Sequence, residues 1–482
     1  MPVYAVDFSK EPLSPLTAIS PLDGRYWGRV NRMSNRFSEA AWMRARVHVE
    51  AEYLVASADE GVLRPLSGRE RDFLGNLYKN FSLADATEIK KIERERAKRH
   101  DIKAIEYWMG DRFRGTSLED LVPKIHLGLT SEDVDNIAIH YLLKLGIMED
   151  YLPTAVGVVE GLRGIVTNNR SLVILGRTHG KRADTTSLGK EMAFFLERAG
   201  TAAGNVAYRA GNLGGKVSGP VGTYNPLKAT YPGHDWMRFA GNLVEKFGLN
   251  PKYVTTQIAS HDDVAGLFRD VAGVNDVMED LSQNLWLYSA LDLIYLAAGD
   301  RGISSIMAHK RNPEEFENAE GNLQTSSALL NFMASKLTKS RLQRDLSGST
   351  VRRNYGVALG HAVLANQNVS EGLKLVRVDR EAATADIKAH PEILGTNMQT
   401  ILRAAGKEGA YESLQEMTRG KAVTEQQMER WAAELDVDEE TRMRIGSLDV
   451  MDFGEAERVA DMALDSSRKA LNRIRKKIKQ SV

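Results

Sequence analysis

The 482-residue chain has no cysteine. Disulfides, thiolate zinc sites and cysteine nucleophiles are therefore excluded, and a reducing compartment fits. Net charge is absent too, since 64 lysines and arginines balance 64 aspartates and glutamates. Such a surface exerts no bulk pull on nucleic acid or anionic lipid, so neither is an expected partner and any anion must be held by local clusters. No stretch approaches the ~18 consecutive apolar residues that span a bilayer. The opening Met1 to Asp7 has no basic segment followed by an apolar run, so no secretory leader is expected there and the cytosol is the expected compartment. Proline is scarce at 13, and none falls between Pro153 and Pro220, between Pro251 and Pro313, or between Pro313 and Pro391. Because proline breaks helix interiors, those three gaps are where long helices can run.

What is present agrees. Apolar residues at 43% and charged residues at 27% describe an ordinary folded chain, long enough for about two to four structural units. Val264, Leu267, Val271, Val274, Met278, Leu281 and Leu285 step by three and four alternately, which predicts a helix with a heptad seam. Ile137, Tyr141, Leu142, Leu145 and Met148 share one face of a second predicted helix, and Leu188, Met192 and Phe195 one face of a third. Strand-like alternation is scarce, and Gly211 to Gly222 and Gly299 to Gly302 read as loops. The expected fold is all-α in three helical parts: residues 1–120, a central long-helix bundle over 121–374, and residues 375–482. Helices this long outrun what one chain's loops can cover, so further seams are expected to be buried against other copies in a homo-oligomer. The basic run Arg473 to Lys479 reads as a solvated, cation-rich helix end rather than a nucleic-acid patch.

Four segments combine polar residues in ways packing does not require. Ser304 to Pro313 holds two hydroxyls, His309, Lys310 and Asn312, bracketed by Gly302 and Pro313. A mobile lid needs such a glycine-bounded loop; Lys310 and Asn312 suit a carboxylate or developing oxyanion, and a serine alkoxide suits proton removal from carbon. Alone, the segment reads equally well as a polar surface turn. Gly176 to Gly180 sets His179 beside glycine at the expected mouth of a helix, as a general acid or as a capping histidine. Leu129 to Asn136 reads as a helix start with Thr130 or Ser131 as cap, a place that also suits an anion. In Ser340 to Asn354, arginines interleave with hydroxyls, the donor set that matches phosphate oxygens. No strand-turn-helix GxGxxG, Walker sequence or His-x-x-x-His pair is present. Chemistry alone leads to an anion-binding helical enzyme.

The Ser304 loop resembles the signature loop, roughly G-S-S-x-M-P-x-K-x-N-P, of the fumarase, aspartase and argininosuccinate lyase superfamily. Within it the chain resembles the adenylosuccinate lyase family through several ordered blocks: Ser20 to Tyr26, Arg99 to Tyr107, Thr130 to Asn136, Arg177 to Gly180, Thr255 to Gln257, Gln343 to Asn354 and Tyr411 to Lys421. The resemblance implies fumarate elimination from a succinyl-purine nucleotide. It makes Ser304 the base, His179 the acid protonating the leaving nitrogen, Glu317 its orienting partner, and Lys310 and Asn312 the stabilisers of the aci-carboxylate. Thr130, Ser131 and Gln257 would hold the succinyl carboxylates or the amide, and His100 would sit over the substrate. Asp101, Ser305 and Met307 would also contact the substrate, while Arg25, Tyr26, Arg344, Ser349 and Arg353 would bind phosphate and ribose. It further implies a homotetramer whose sites combine residues of three chains, needing neither metal nor organic cofactor.

Three departures from the pattern stand out. Met-Pro is replaced by Met307-Ala308, the glycine next to the serine pair has moved to Gly302-Ile303, and Gly-Gln-Pro-Ala-Thr becomes Gly180-Lys181-Arg182-Ala183-Asp184. A cation at Lys181 lowers the pKa of His179 if it faces the site. The altered loop is the one feature favouring a paralogue acting on another succinyl-amine. A non-catalytic helical oligomer of the same fold would have lost the Ser, His or Lys–Asn set, and all are present.

Overall fold

The computed structural model describes residues 11–297, 302, 306–307, 309–420 and 423–481. It is all-α: long helices separated by loops, with one antiparallel hairpin and two short strand pairings among the described residues. The heptad seam lies in α6 (Asp262–Ala290), and all seven of its residues are buried. Burying each such side chain contributes roughly 1.5–3 kcal/mol, so this stripe fixes which way α6 faces. α7 (Glu314–Leu337) runs antiparallel to it, with Asn275 donating to Ser326 at 3.0 Å, Gln324 to Glu279 at 2.9 Å and Trp286 to Glu317 at 3.0 Å.

Around this pair stand α4 (Leu152–Asn169), α5 (Leu188–Ala210) and α8 (Tyr355–Leu375). Ion pairs Arg198–Asp280 and Arg209–Asp270, both 2.5 Å, align α5 with α6, and His361 pairs with Asn322 at 2.8 Å between α8 and α7. The last helix, α10 (Ala456–Ser481), lies within the stretch expected to form the C-terminal part. Yet it packs along α5, burying Leu471 and Ile474 in the main core, with Arg163 of α4 donating to Ser467 at 2.6 Å. The C-terminal helices before it keep a small core of their own around Met398, Leu402, Leu414, Met428 and Ile445.

α1 (Glu39–Asp59) is apolar on two faces for a reason. Trp42, Ala45, Val49 and Tyr53 join the main core, while Met43, Val47, Ala51 and Leu54 join an N-terminal core with Ile89, Ile105, Trp108 and Phe113. Two heptad stripes on one helix thus tie the N-terminal helices, among them α2 (Asp101–Phe113), to the bundle. One expectation fails locally. The proline-free gap after Pro153 is not continuous helix but is broken by β1 (Val173–Thr178) and β2 (Lys181–Ser187). Val173, Ile174 and Leu175 form a short apolar run that periodicity alone does not separate from helix. No described helix is long and apolar enough to cross a membrane.

Candidate active site

The start of α3 (Ser131–Leu145) faces a cleft of 570 Å³ lined by His100, Thr130, Ser131, Gln257 and Arg344, with Lys98, Lys103 and His126. Asp133 fixes that start: its Oδ2 accepts from the Thr130 amide at 2.8 Å and the Thr130 hydroxyl at 3.0 Å, so of the two expected caps it is Thr130, not Ser131, that precedes the helix. His100 precedes α2, where its Nδ1 accepts the Lys103 amide at 3.2 Å. That acceptor role leaves the proton of the neutral ring on Nε2, 3.5 Å from Ser131 Oγ. Gln257 accepts from Arg344 Nη1 at 3.1 Å. Lys98 and Arg99, just before His100, both adopt left-handed backbone conformations (φ 50° and 66°), strain that persists only where surroundings enforce it.

Beneath the cleft lies a charge network. Arg46 of α1 is buried between Asp135, at 2.6 Å, and Asp101, at 3.0 Å. Burial opposes the Asp101 charge, but Arg46, the Ile102 amide and Arg353 together outweigh it and hold the carboxyl below its ordinary pKa. Glu132 is buried and gripped at both oxygens by Arg352, at 2.7 and 3.0 Å; burial again opposes its charge, and the guanidinium prevails. His126 lines the cleft with its Nδ1 2.6 Å from buried Glu50; burial alone depresses such an imidazole, whereas this carboxylate lifts it above its ordinary value.

The other expected residues lie elsewhere. Arg353 rests 5.5 Å over the Trp42 ring and pairs with Glu39 at 2.8 Å, 3.7 Å from Asp101. Ser349 joins Arg344 around a cavity of 20 Å³. Arg25 and Tyr26 line a separate 450 Å³ cleft with Glu314, Glu315 and Asn318, the last donating to the Tyr26 hydroxyl at 3.3 Å. The lid segment is anchored where the Asn312 amide donates to Gly302 O at 2.8 Å and the Lys310 amide to Met307 O at 3.0 Å. Gly302 has φ 76°, and a Cβ there would meet Asn312 O at 2.5 Å, so glycine is required. Lys310 and Met307 are exposed. Ser304 and Ser305 lie outside the described residues.

His179 does not sit at a helix mouth. It forms the hairpin turn with Gly180, both left-handed (φ 53° and 74°), between paired Thr178 and Lys181. Asp386 of α9 (Arg380–Lys388) holds this hairpin, accepting from Arg177 at 3.0 Å and from Arg182 at 2.9 and 2.6 Å. Arg182 therefore has a structural partner, while Lys181 is exposed. Glu317 bonds Trp286, and among the described residues no hydrogen bond joins it to His179 in one chain.

Comparison with known proteins decides the family. Residues 24–326 match the family model described as lyase, and residues 340–453 the one described as adenylosuccinate lyase C-terminal. The adenylosuccinate lyase of Haemophilus influenzae is 36% identical over 451 residues, 90% of this chain and 96% of the relative. That of Escherichia coli strain K12 is 37% identical with the same coverage, and that of Dictyostelium discoideum 35% identical, covering 90% and 95%. The chain belongs to the adenylosuccinate lyase family. Solved structures agree on the fold: fumarate lyase of Mesorhizobium sp. BNC1 has TM-score 0.73 at 14% identity, covering 96% of this chain and 100% of that one. The 3-carboxy-cis,cis-muconate lactonizing enzyme of Pseudomonas putida has TM-score 0.71 at 14% identity, covering 91% and 97%.

In this member of the adenylosuccinate lyase family, one cleft of a single chain gathers His100, Thr130, Ser131, Gln257 and Arg344, a second holds Arg25 and Tyr26, and His179, Lys310, Asn312 and Glu317 line neither. Sequence reasoning missed His126, Arg46, Glu132 and Arg352. Glu132 carried a local signal, as an acid in the first turn of a helix, and Arg352 lay in the arginine-and-hydroxyl segment without being told apart from its neighbours. The roles of His126, Arg46 and Arg352 come from partners tens to hundreds of residues away.

Proposed function

We propose that this protein eliminates fumarate from adenylosuccinate, giving AMP, and from succinyl-carboxamide imidazole ribotide, giving AICAR. The observation that carries this reading is the cleft where His100, Ser131, Gln257 and Arg344 converge, in a chain 36–37% identical over nine-tenths of its length to adenylosuccinate lyases. Ser304 takes the proton from the succinyl β-carbon and His179 protonates the leaving nitrogen. Lys310 and Asn312 stabilise the charge that develops on the adjacent carboxylate, where the barrier is highest. Thr130, Ser131 and Gln257 bind the succinyl group, and Arg344, Ser349, Arg353, Arg25 and Tyr26 the nucleotide.

The acting form is a homotetramer of the cytosol. In its support, Phe194, Tyr208, Trp286 and Phe332 stand about half exposed on the bundle helices, a surface that another copy would cover. A direct assay tests the reading: the protein is mixed with adenylosuccinate and AMP formation is followed by absorbance. Turnover is expected, and a folded protein without turnover overturns it.

A further inference from the structure

The first five residues of α3 bury three carboxylates, those of Glu132, Asp133 and Asp135, and Asp101 shares Arg46 with the last of them. Three buried cations answer them. Lys216 binds Asp133 at 2.7 Å, Arg46 binds Asp135 and Asp101, and Arg352 closes on Glu132. Arg344 shares itself between two partners: Nη1 donates to the Gln257 side-chain oxygen at 3.1 Å, and Nη2 makes a longer ion pair with Glu132 at 3.5 Å.

We propose that Arg352 is a positioning residue for the substrate anion: by occupying both oxygens of Glu132 it leaves Arg344 directed into the 570 Å³ cleft. A fully buried carboxylate cannot remain unpaired without heavy cost. Were Arg352 absent, Arg344, whose Nη2 already lies 3.5 Å from Glu132, would close fully on that carboxylate and be drawn away from the substrate. The two arginines, eight positions apart, thus divide the work. Arg352 is buried and serves the protein, whereas Arg344 is 21% exposed and serves the ligand. A bidentate fork suits this task because it satisfies both carboxylate oxygens in one plane. The inference rests on the nucleotide-lyase reading of the cleft.

Steady-state kinetics on the full-length protein test it. Arg352→Met should raise KM for adenylosuccinate about tenfold or more with kcat within roughly threefold, the pattern of lost uniform binding. Arg352→Met/Glu132→Gln removes the carboxylate that captures Arg344, and KM should return to within roughly threefold of wild type. An arginine needed only for folding would lower the melting temperature in both variants without this selective recovery. A wild-type KM in Arg352→Met, or no recovery in the double variant, overturns the proposal. If Arg352→Met does not fold, Arg352→Lys replaces it. A point charge closes one oxygen of Glu132, so a KM raised about threefold and restored by Glu132→Gln supports the proposal, and an unchanged KM overturns it. Wild-type protein that does not convert adenylosuccinate overturns the functional reading instead. Calorimetric AMP binding then carries the same comparison: weaker binding in Arg352→Met supports the proposal, and equal affinities overturn it.

Discussion

Trp286 donates to Glu317 at 3.0 Å near the C-terminal end of α6, whereas Gln257 lies just before Asp262, where the same helix begins. At 1.5 Å per residue, the helix carries these two places ~36 Å apart. Glu317 therefore stands at one end of α6, and the His100–Gln257 cleft at the other. Within one chain, Glu317 and Gln257 are too far apart to touch one small molecule.

The first prediction follows from that separation. Lys310→Met and His100→Ala variants should each lose about 10²–10³ in kcat. Mixed after mild dissociation and reassembly, the two should regain activity, because some sites then receive an intact half from each parent. Activity that stays at the level of the separate variants would show that sites are not shared.

Arg46 offers a stability test. Replacing it by methionine leaves Asp135 and Asp101 without their common partner beneath the cleft. Removing one member of such a buried network costs about 3–5 kcal/mol, so the melting temperature should fall by several degrees. Differential scanning calorimetry measures it.

His48 should make stability depend on pH. It stacks on Tyr78 at 3.8 Å and packs against Phe247, and burial lowers its pKa from 6.5 to about 4. The folded ring stays neutral down to about pH 4, whereas the unfolded chain takes up the proton near pH 6.5. Its contribution is complete above pH 6.5 and falls away toward pH 4, by at most about 3 kcal/mol. His48→Phe should flatten the melting temperature over that interval, and an unchanged slope would assign the effect to other groups.

Gly222 tests the placement of Gln257. It has φ 81°, and a Cβ there would lie 2.2 Å from Thr255 O. Gly222→Ala should destabilise by about 1–3 kcal/mol and raise KM more than it lowers kcat, since it displaces the Thr255–Gln257 loop. Thermal denaturation and steady-state kinetics read the two effects.

Asp386 tests the hairpin. Asp386→Asn weakens the grip on Arg177 and Arg182 and frees the turn that carries His179. We expect kcat to fall roughly tenfold with little change in KM, because a small misplacement of a proton donor slows chemistry without weakening binding.

The sequence by itself determined the helical class, the seam of α6, a helix start at Thr130–Ser131 and the family, because these reside in periodicity and in motifs read along the chain. A heptad stripe has one physical solution: Val264 through Leu285 must be buried, and they are. Tertiary structure decided the rest. It turned Gly176–Gly180 into a hairpin clamped by Asp386, sent the final helix back along α5, and set Arg46, Glu50 and Arg352 beneath residues far away in sequence. Buried charges have no period. Which arginine meets which carboxylate depends on how helices pack, and that pairing decides which cation faces inward and which is left to meet a substrate.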